Sequence, residues 1–590
     1  MRDSKSDRNF WADAICMDQD NKAEKSQQLP LMSRIYSEAK SVNVWLGEAD
    51  LGDQGTSEAF TLMRKVREWR NYKTIVEKET TCDQWVAFTR LMDRAWFDRR
   101  WVVQEIVLAG HAELRCGSET IDWMHFAQAV AFFEYVKQPV EIKFRQDKQY
   151  DNHPDMFGEV RQYSASQLVR ATVDVVTRGD DDRVIQRKES LESLISLLTP
   201  FETGKREDII YAILSLARDV VATSADVSLK TNITLADVGD ELLEGRNSEQ
   251  QQQVVRALNQ IVRNVKMDQF PVNYTKQFDE ICEDLYRFTT VHSRSLDLIC
   301  RPWCPPLSPE DQDKLQSYIL PTWVRSLRER PYSKGRDGKM KRVNADTLVG
   351  LPGKSPYQAS GTLREIGTSW SFERDHGILT LSSKGFQLDV IGRVEDTAHG
   401  GLIPDSWLEY TKRGHNTNSG KASGVSPQFW KTMVAGKGPN GDNTPVLYEL
   451  LCNEIFDTSD AINLESLRKD STNELLRDFI DRVSSVVWGR RLARTEKHRR
   501  LSLLPRAAEP GDVICILYGC SVPVVLRKTT RQTLNREMVW QLIGECFVYE
   551  MMSGEALVTR RQESDKEGRT HPGAQDSDSF YKNWRVFKIQ

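Results

Sequence analysis

Residues 10–117 alternate short apolar runs with longer amphipathic stretches, and this alternation constrains the fold more than any other feature of the chain. Phe10-Trp11-Ala12-Asp13-Ala14-Ile15-Cys16-Met17 reads as a strand buried on both faces, since a short, nearly continuous apolar run bounded by turn residues suits the interior of a parallel sheet. Asp18-Gln19-Asp20-Asn21 then turns the chain, and Asn21 with Glu24 three positions later resembles a capping box with Asn in place of Ser or Thr. Leu29, Met32, Tyr36 and Ala39 fall on one helical face. Val42 to Leu46 is a second strand stopped by Gly47; helices are expected near 56–70 and 83–94 and from Asp98 to Ala109, then a strand from Ala112 to Cys116. Strand–helix–strand order predicts an α/β domain with a parallel sheet over residues 1–120.

From 121 to 320 the pattern turns mainly helical, with apolar helices expected at Ile209 to Ala217 and Phe278 to Phe288. A polar insertion near 222–270 carries a helix-like stretch from Val254 to Val265. Residues 321–590 read as a mixed α+β, β-rich region with short strands at Leu379 to Leu381 and Leu388 to Ile391 and a better one at Val513 to Leu517. The polar segment 562–579 reads as a flexible loop.

Composition narrows the function. The 590 residues carry 81 Lys+Arg against 85 Asp+Glu, a balance that argues against a dedicated nucleic-acid coat or a polybasic membrane binder. The longest apolar run, Val513 to Leu526, is too short for a membrane span and is broken by Gly519, Ser521 and Pro523. No secretory signal opens the chain, and ten scattered cysteines without a Cys-x-x-Cys pair suggest buried free thiols, so a cytoplasmic protein is expected. Cys300, Cys304 and His292 are too few and too loosely spaced for a metal site, and none is expected. Gly436 to Gly441 fits G-x-G-x-x-G only formally, because no strand precedes it, and is read as a loop. Arg490, Arg491, Arg494, Lys497, Arg499, Arg500 and Arg506 form the one strong basic run, read as a solvated face.

The block Trp11-Ala12-Asp13-Ala14-Ile15-Cys16-Met17-Asp18-Gln19 resembles the fungal heterokaryon incompatibility (HET) domain family. The likeness continues through Gln28, Met32, Ile35-Tyr36, Ala39 and Val44-Trp45-Leu46-Gly47, and again from Ala95 to Glu105. Segments such as Asp208 to Ala212, Leu320 to Val324 and Gly544 to Val548 resemble parts of full-length family members. Family members usually carry a Tyr-x-Ala-(Leu/Ile)-Ser-Tyr-x-Trp-Gly block upstream. Only ten residues precede Trp11, so the domain reads as N-terminally incomplete, without its first strand. The resemblance implies a flavodoxin/TIR-like fold and a role in nonself recognition, with protein partners, that ends in programmed cell death.

Some TIR domains hydrolyse NAD with a glutamate in a Trp-x-x-x-Glu context, the spacing of Trp101 and Glu105. Residues i and i+4 share a helix face, and an indole beside the carboxylate would raise its pKa. Glu105 is therefore the catalytic candidate, with Trp101, Asp18 and Gln19 as ligand-binding candidates at the carboxyl end of the first strand. NAD enters only as a substrate; no cofactor is expected. Against this stand plainer roles: Glu105 paired with Arg99 or Arg100, Asp18 and Gln19 as helix caps, Asp13 as a polar latch within a strand, and Trp11 and Trp45 as core. Three functions stay open: incompatibility signalling, NAD hydrolysis, and a non-catalytic oligomerisation module or inactive truncated relative.

Overall fold

The computed structural model describes residues 9–49, 55–68, 71–150, 156–224, 249–256, 268–306, 320–361, 370–375, 377–411, 424–456, 460–471, 473–559 and 584–590. The chain divides into two units, Met1–Phe288 and Thr289–Gln590. Both mix helices and sheet, as the sequence led one to expect of the α/β class. The segment 562–579 and most of the insertion near 222–270, including much of the stretch 254–265, lie outside the described residues.

In the N-terminal unit the segment 10–17 is not a strand. Its second half forms a single helical turn, α1 (Asp13–Cys16), with Phe10 54% and Ile15 86% exposed. Local bonding decides this: Ala12 O accepts from Ile15 N and Cys16 N, and the Asp13 carboxylate accepts from Ala14 N at the helix start, where an acid opposes the macrodipole. Asp13 is thus a half-buried helix-start acid rather than a latch within a sheet. Helix α2 (Lys22–Gln28) is capped by Asn21, which accepts from Ala23 N and Glu24 N. The Glu24 carboxylate reaches Asp18 N instead of Asn21 N, so the cap is not the reciprocal box that was expected. Helix α3 (Met32–Glu38) leads to β1 (Val42–Trp45), in which Val42 and Val44 are buried while Trp45 is 42% exposed and is not a core residue.

Helices α4 (Gly55–Arg67), α5 (Cys82–Met92) and α6 (Trp101–Leu108) follow, close to the predicted ranges. The sheet is mixed. β1 pairs parallel with β2 (Ala112–Cys116), and β2 pairs antiparallel with β3 (Glu119–Asp122). Asp122 caps the long α7 (Trp123–Gln146), whose buried Phe126 and Phe133 pack on Trp85 and Phe88 of α5, with ring centroids 5.1 Å apart for Trp85–Phe133. The expected helix Ile209 to Ala217 is instead α8 (Asp208–Tyr211) followed by a 3-10 turn at Leu214–Leu216. Tertiary bonds on Asp208 and Tyr211 hold that first turn, and the segment is buried on nearly every side, so no amphipathic face exists to extend a regular helix. The other expected helix is present as α9 (Phe278–Ser293).

The C-terminal unit is organised by one long strand. β4 (Ile378–Thr397) spans both stretches expected to be separate short strands. It pairs in turn with β8 (Arg585–Ile589), β7 (Val513–Leu517) and β5 (Arg490–Thr495), and β5 pairs with β6 (Leu501–Pro505). Two further strands, Val524–Gln532 and Met538–Glu545, complete a ring of five with β4, β7 and β8. Ring closure leaves no free edge there, and Phe386, Ile514, Ile516, Val525 and Trp584 belong to one buried apolar cluster of this unit. Gly385 is where β4 contacts β7 and β8 together, and a Cβ at this position would lie 2.6 Å from the backbone oxygen of Ile516. Because that obstacle is backbone, Gly385→Ala is expected to cost about 1–3 kcal/mol in urea denaturation. An unchanged midpoint would show that the strands separate more easily than drawn.

All ten cysteines are free. Nine are buried as expected, but Cys16 is exposed on α1. No helix among the described residues is long and apolar enough to cross a membrane.

Candidate functional site

Helix α6 carries the site because both its ends are fixed. At its start, Arg100 N donates to Glu202 O at 2.8 Å and Glu202 N donates to Asp98 O at 2.6 Å. At its end, the Arg178 guanidinium donates to Val107 O at 2.9 Å and Ala109 O at 2.8 Å, satisfying carbonyls that a helix terminus leaves open. Val102, Val103, Ile106, Val107 and Leu108 anchor the helix in the core.

Trp101, in the first turn, is held rather than free. Its indole Nε1 donates to Asp208 Oδ2 at 3.1 Å, Tyr274 OH donates to Asp208 Oδ1 at 2.5 Å, and Lys25 Nζ lies 4.0 Å from Oδ2. Lys25 also sits 4.4 Å above the Tyr274 ring, whose backbone N–H donates to Ser26 Oγ. Asp208 therefore joins α2, α6, α8 and the Tyr274 segment. Burial first, and the Asp208 charge second, push the Tyr274 hydroxyl up, so it stays a proton donor. Trp101, expected as a ligand contact, has its only polar atom engaged in this hub.

Glu105 lies one turn further along. Among the described residues it makes no hydrogen bond and no ion pair; Arg100 is turned to Leu198 O, and Arg99 is exposed and acts on Glu105 only through its charge. Burial raises the Glu105 carboxyl to about 7, Arg99 opposes that rise, and Asp13 adds to it. The hydroxyl of Tyr36 is raised by burial, then by the charges of Glu105 and Asp13, against Arg99. Asp13, Tyr36, Arg99 and Glu105 thus form one electrostatic group, with Trp11 edge-on to Tyr36 at 5.7 Å.

The loop candidates close the other side. The Asp18 carboxylate accepts from Asp20 N at 3.0 Å and is exposed. Gln19 Nε2 donates to Asp13 O at 3.1 Å, and Gln19 O accepts from Lys205 Nζ at 3.3 Å, so Gln19 ties the loop to α1. Asp18 thus serves its own turn, while Gln19 positions the segment that carries Asp13. Tyr36, Arg99, Lys25, Asp208 and Tyr274 were not singled out as site residues. Spacing offers no signal for the Trp101–Asp208 bond, whose partners lie 107 residues apart. An acid opening the apolar stretch Ile209 to Ala217 was the one available clue.

Arg100 is a buried cation with no compensating carboxylate among the described residues. Burial alone lowers it to about 9, and Nε and Nη2 find no acceptor among the described residues. Replacing it by an apolar chain of similar length, Arg100→Met, is expected to raise stability by about 1–2 kcal/mol in chemical denaturation. A loss would mean that its bond to Leu198 O outweighs the buried charge.

Among the described residues no group of three or more His, Cys, Asp or Glu side chains is placed to hold a metal ion. What the site offers is a carboxyl that changes charge near neutrality, a protonated phenol and an exposed guanidinium.

Comparison with known proteins shows what part of this unit is similar to. The family model described as Heterokaryon incompatibility protein (HET) matches residues 1–105, from the start of the chain through Glu105, so this stretch is similar to the HET domain. At the level of a particular relative, it is 23% identical over 606 aligned positions to heterokaryon incompatibility protein 6, OR allele, of Neurospora crassa. That alignment spans 94% of this chain and 82% of the relative. No solved structure matches the chain.

Proposed function

We propose that the chain acts in fungal heterokaryon incompatibility, as a cytoplasmic nonself-recognition protein whose HET unit hydrolyses NAD or a related dinucleotide and so promotes programmed cell death. The observation that carries the chemical part is Glu105: a carboxyl raised to about 7 and left without a hydrogen-bond partner among the described residues, on a helix fixed at both ends. Structural ion pairs consume their carboxylates; this one is left available. The TIR-like reading of the unit draws on the parallel β1–β2 pair and on α6 leading into β2. The role in incompatibility draws on the family match and on the Neurospora relative.

In the proposed reaction the ionised Glu105 accepts hydrogen bonds from the ribose hydroxyls and stabilises the oxocarbenium charge as the bond to nicotinamide breaks. Water adds at the freed carbon and gives up its proton, leaving nicotinamide, ADP-ribose and H⁺. Arg99, exposed beside Glu105, meets the anionic part of the substrate. Protein partners would set when the unit acts.

Regulated expression in a filamentous fungus tests this reading. The wild-type chain should deplete cellular NAD and kill the cells, and Glu105→Gln should do neither. If death persists with Glu105→Gln at equal protein level, the unit works by association without this chemistry.

A further inference from the structure

The basic run that opens in β5 has no part in the HET unit, and its members separate in the fold. Arg490 is buried, with Nη2 2.6 Å from Glu545 Oε1, and further bonds to Val486 O and Asp346 O. Arg491 donates to Glu395 O and Ala508 O, and the Arg494 guanidinium lies 4.9 Å over the Tyr410 ring. Arg506 is different. It is exposed on the rim of a cleft of about 510 Å³ in the C-terminal unit.

Arg328 stands on the same cleft, in the 3-10 turn Leu327–Glu329. Neither the Arg328 nor the Arg506 guanidinium has a hydrogen-bond or ion-pair partner among the described residues. The other charges lining the cleft are compensated: Arg325 pairs with Glu329 at 2.5 Å, and Arg490 with Glu545, which also accepts from Leu348 N. Four arginines and two glutamates therefore leave two uncompensated positive charges, both on forked donors. The hydroxyl of Thr347, also on the cleft and also without a described partner, adds a neutral donor.

We propose that this cleft binds a small phosphate-bearing anion of the nucleoside diphosphate class, with Arg328 and Arg506 as its phosphate ligands. The volume lies within the roughly 300–1,000 Å³ of small-molecule sites, larger than one phosphate needs and too small for a folded partner. Planar guanidinium groups match phosphate oxygens in pairs, and two of them with no internal partner favour a ligand carrying more than one negative charge. The buried Arg490–Glu545 pair beneath is neutral as a unit and holds the wall without competing for the anion.

Calorimetric titration of the full chain with ADP, inorganic pyrophosphate and citrate at low ionic strength tests the site. ADP and pyrophosphate should bind at one site per chain, with affinity that falls as salt is added. Arg328→Ala/Arg506→Ala should weaken both at least about tenfold, without lowering the melting temperature, because both side chains are exposed. Glu105→Gln should leave this binding unchanged, which separates it from the N-terminal chemistry. Absence of binding by ADP and pyrophosphate, undiminished affinity in the double variant, or citrate binding as tightly as ADP would each overturn the proposal.

Discussion

Glu105→Gln is expected to make the protein inactive and, at pH 8, more stable. The folded carboxyl titrates near 7 against an ordinary value of 4.5. A carboxyl raised in this way contributes stability that is fully present below about pH 4.5 and is lost as pH rises through about 7, because the fold disfavours the ionised form. The full shift corresponds to about 3 kcal/mol. Glu105 retains some contact with solvent, so a gain on the order of 2 kcal/mol for the uncharged isostere is the reasonable expectation. Urea denaturation at pH 5 and pH 8 measures it: the two proteins should lie much closer together at pH 5 and separate at pH 8, with the variant ahead. Equal stability at both values would mean that the carboxylate is already well solvated or paired. A group that lowers stability where it is charged is the pattern of a site held ready for chemistry.

Asp208→Ala is expected to cost the N-terminal unit more stability than Glu105→Gln or Arg100→Met changes it. It strands the Trp101 indole N–H, the Tyr274 hydroxyl and the Lys25 ammonium together, the last two buried and the indole half-buried. Removing one partner of a buried ion pair costs about 3–5 kcal/mol, and the two orphaned donors place the expectation in the upper part of that range. Asp208→Asn keeps an acceptor for one of the two donors but loses the charge facing Lys25, so it should fall roughly midway. Trp101→Phe, which removes a single donor, should cost far less than either. Losses of similar size for Asp208→Ala and Trp101→Phe would show that the tyrosine and lysine contacts contribute little. The hub also orients the first turn of α6, so Asp208→Asn should depress any activity that depends on Glu105.

Strand and helix positions after residue 40 were largely legible in the sequence: β1, α4, α5, α6, β2 and α9 fall close to where periodicity and turn residues place them. The segment 10–17 was misread because a short apolar run is compatible with a buried strand or with a helical turn, and periodicity does not separate the two. Asp13, the one acid in that run, was the discordant signal, and it marks a helix start. The stretch Ile209 to Ala217 was misread for the opposite reason, since burial on nearly all sides removes the amphipathic pattern that distinguishes a long helix from a broken one.

Spacing to Trp101 singles out Glu105 as a candidate, yet the contact that Trp101 makes is not legible in it. The indole that looked like a wall for the carboxylate is a tether to Asp208. Such a contact has no local signature, because it depends on how two distant segments meet. The same holds for Asp13, which acts on Glu105 through charge from an element that only the fold brings near, whereas Arg99 is a neighbour that the sequence already offers.

Nicotinamide release from NAD by the purified full chain decides whether Glu105 performs chemistry on a dinucleotide. Turnover should show a kcat/KM that rises with pH through about 7, as the carboxyl ionises, and falls at least about a hundredfold in Glu105→Gln, a loss typical of removing a group that acts in the transition state. Nicotinamide release that is unchanged in Glu105→Gln, or absent from a wild-type chain that still kills cells, would contradict it.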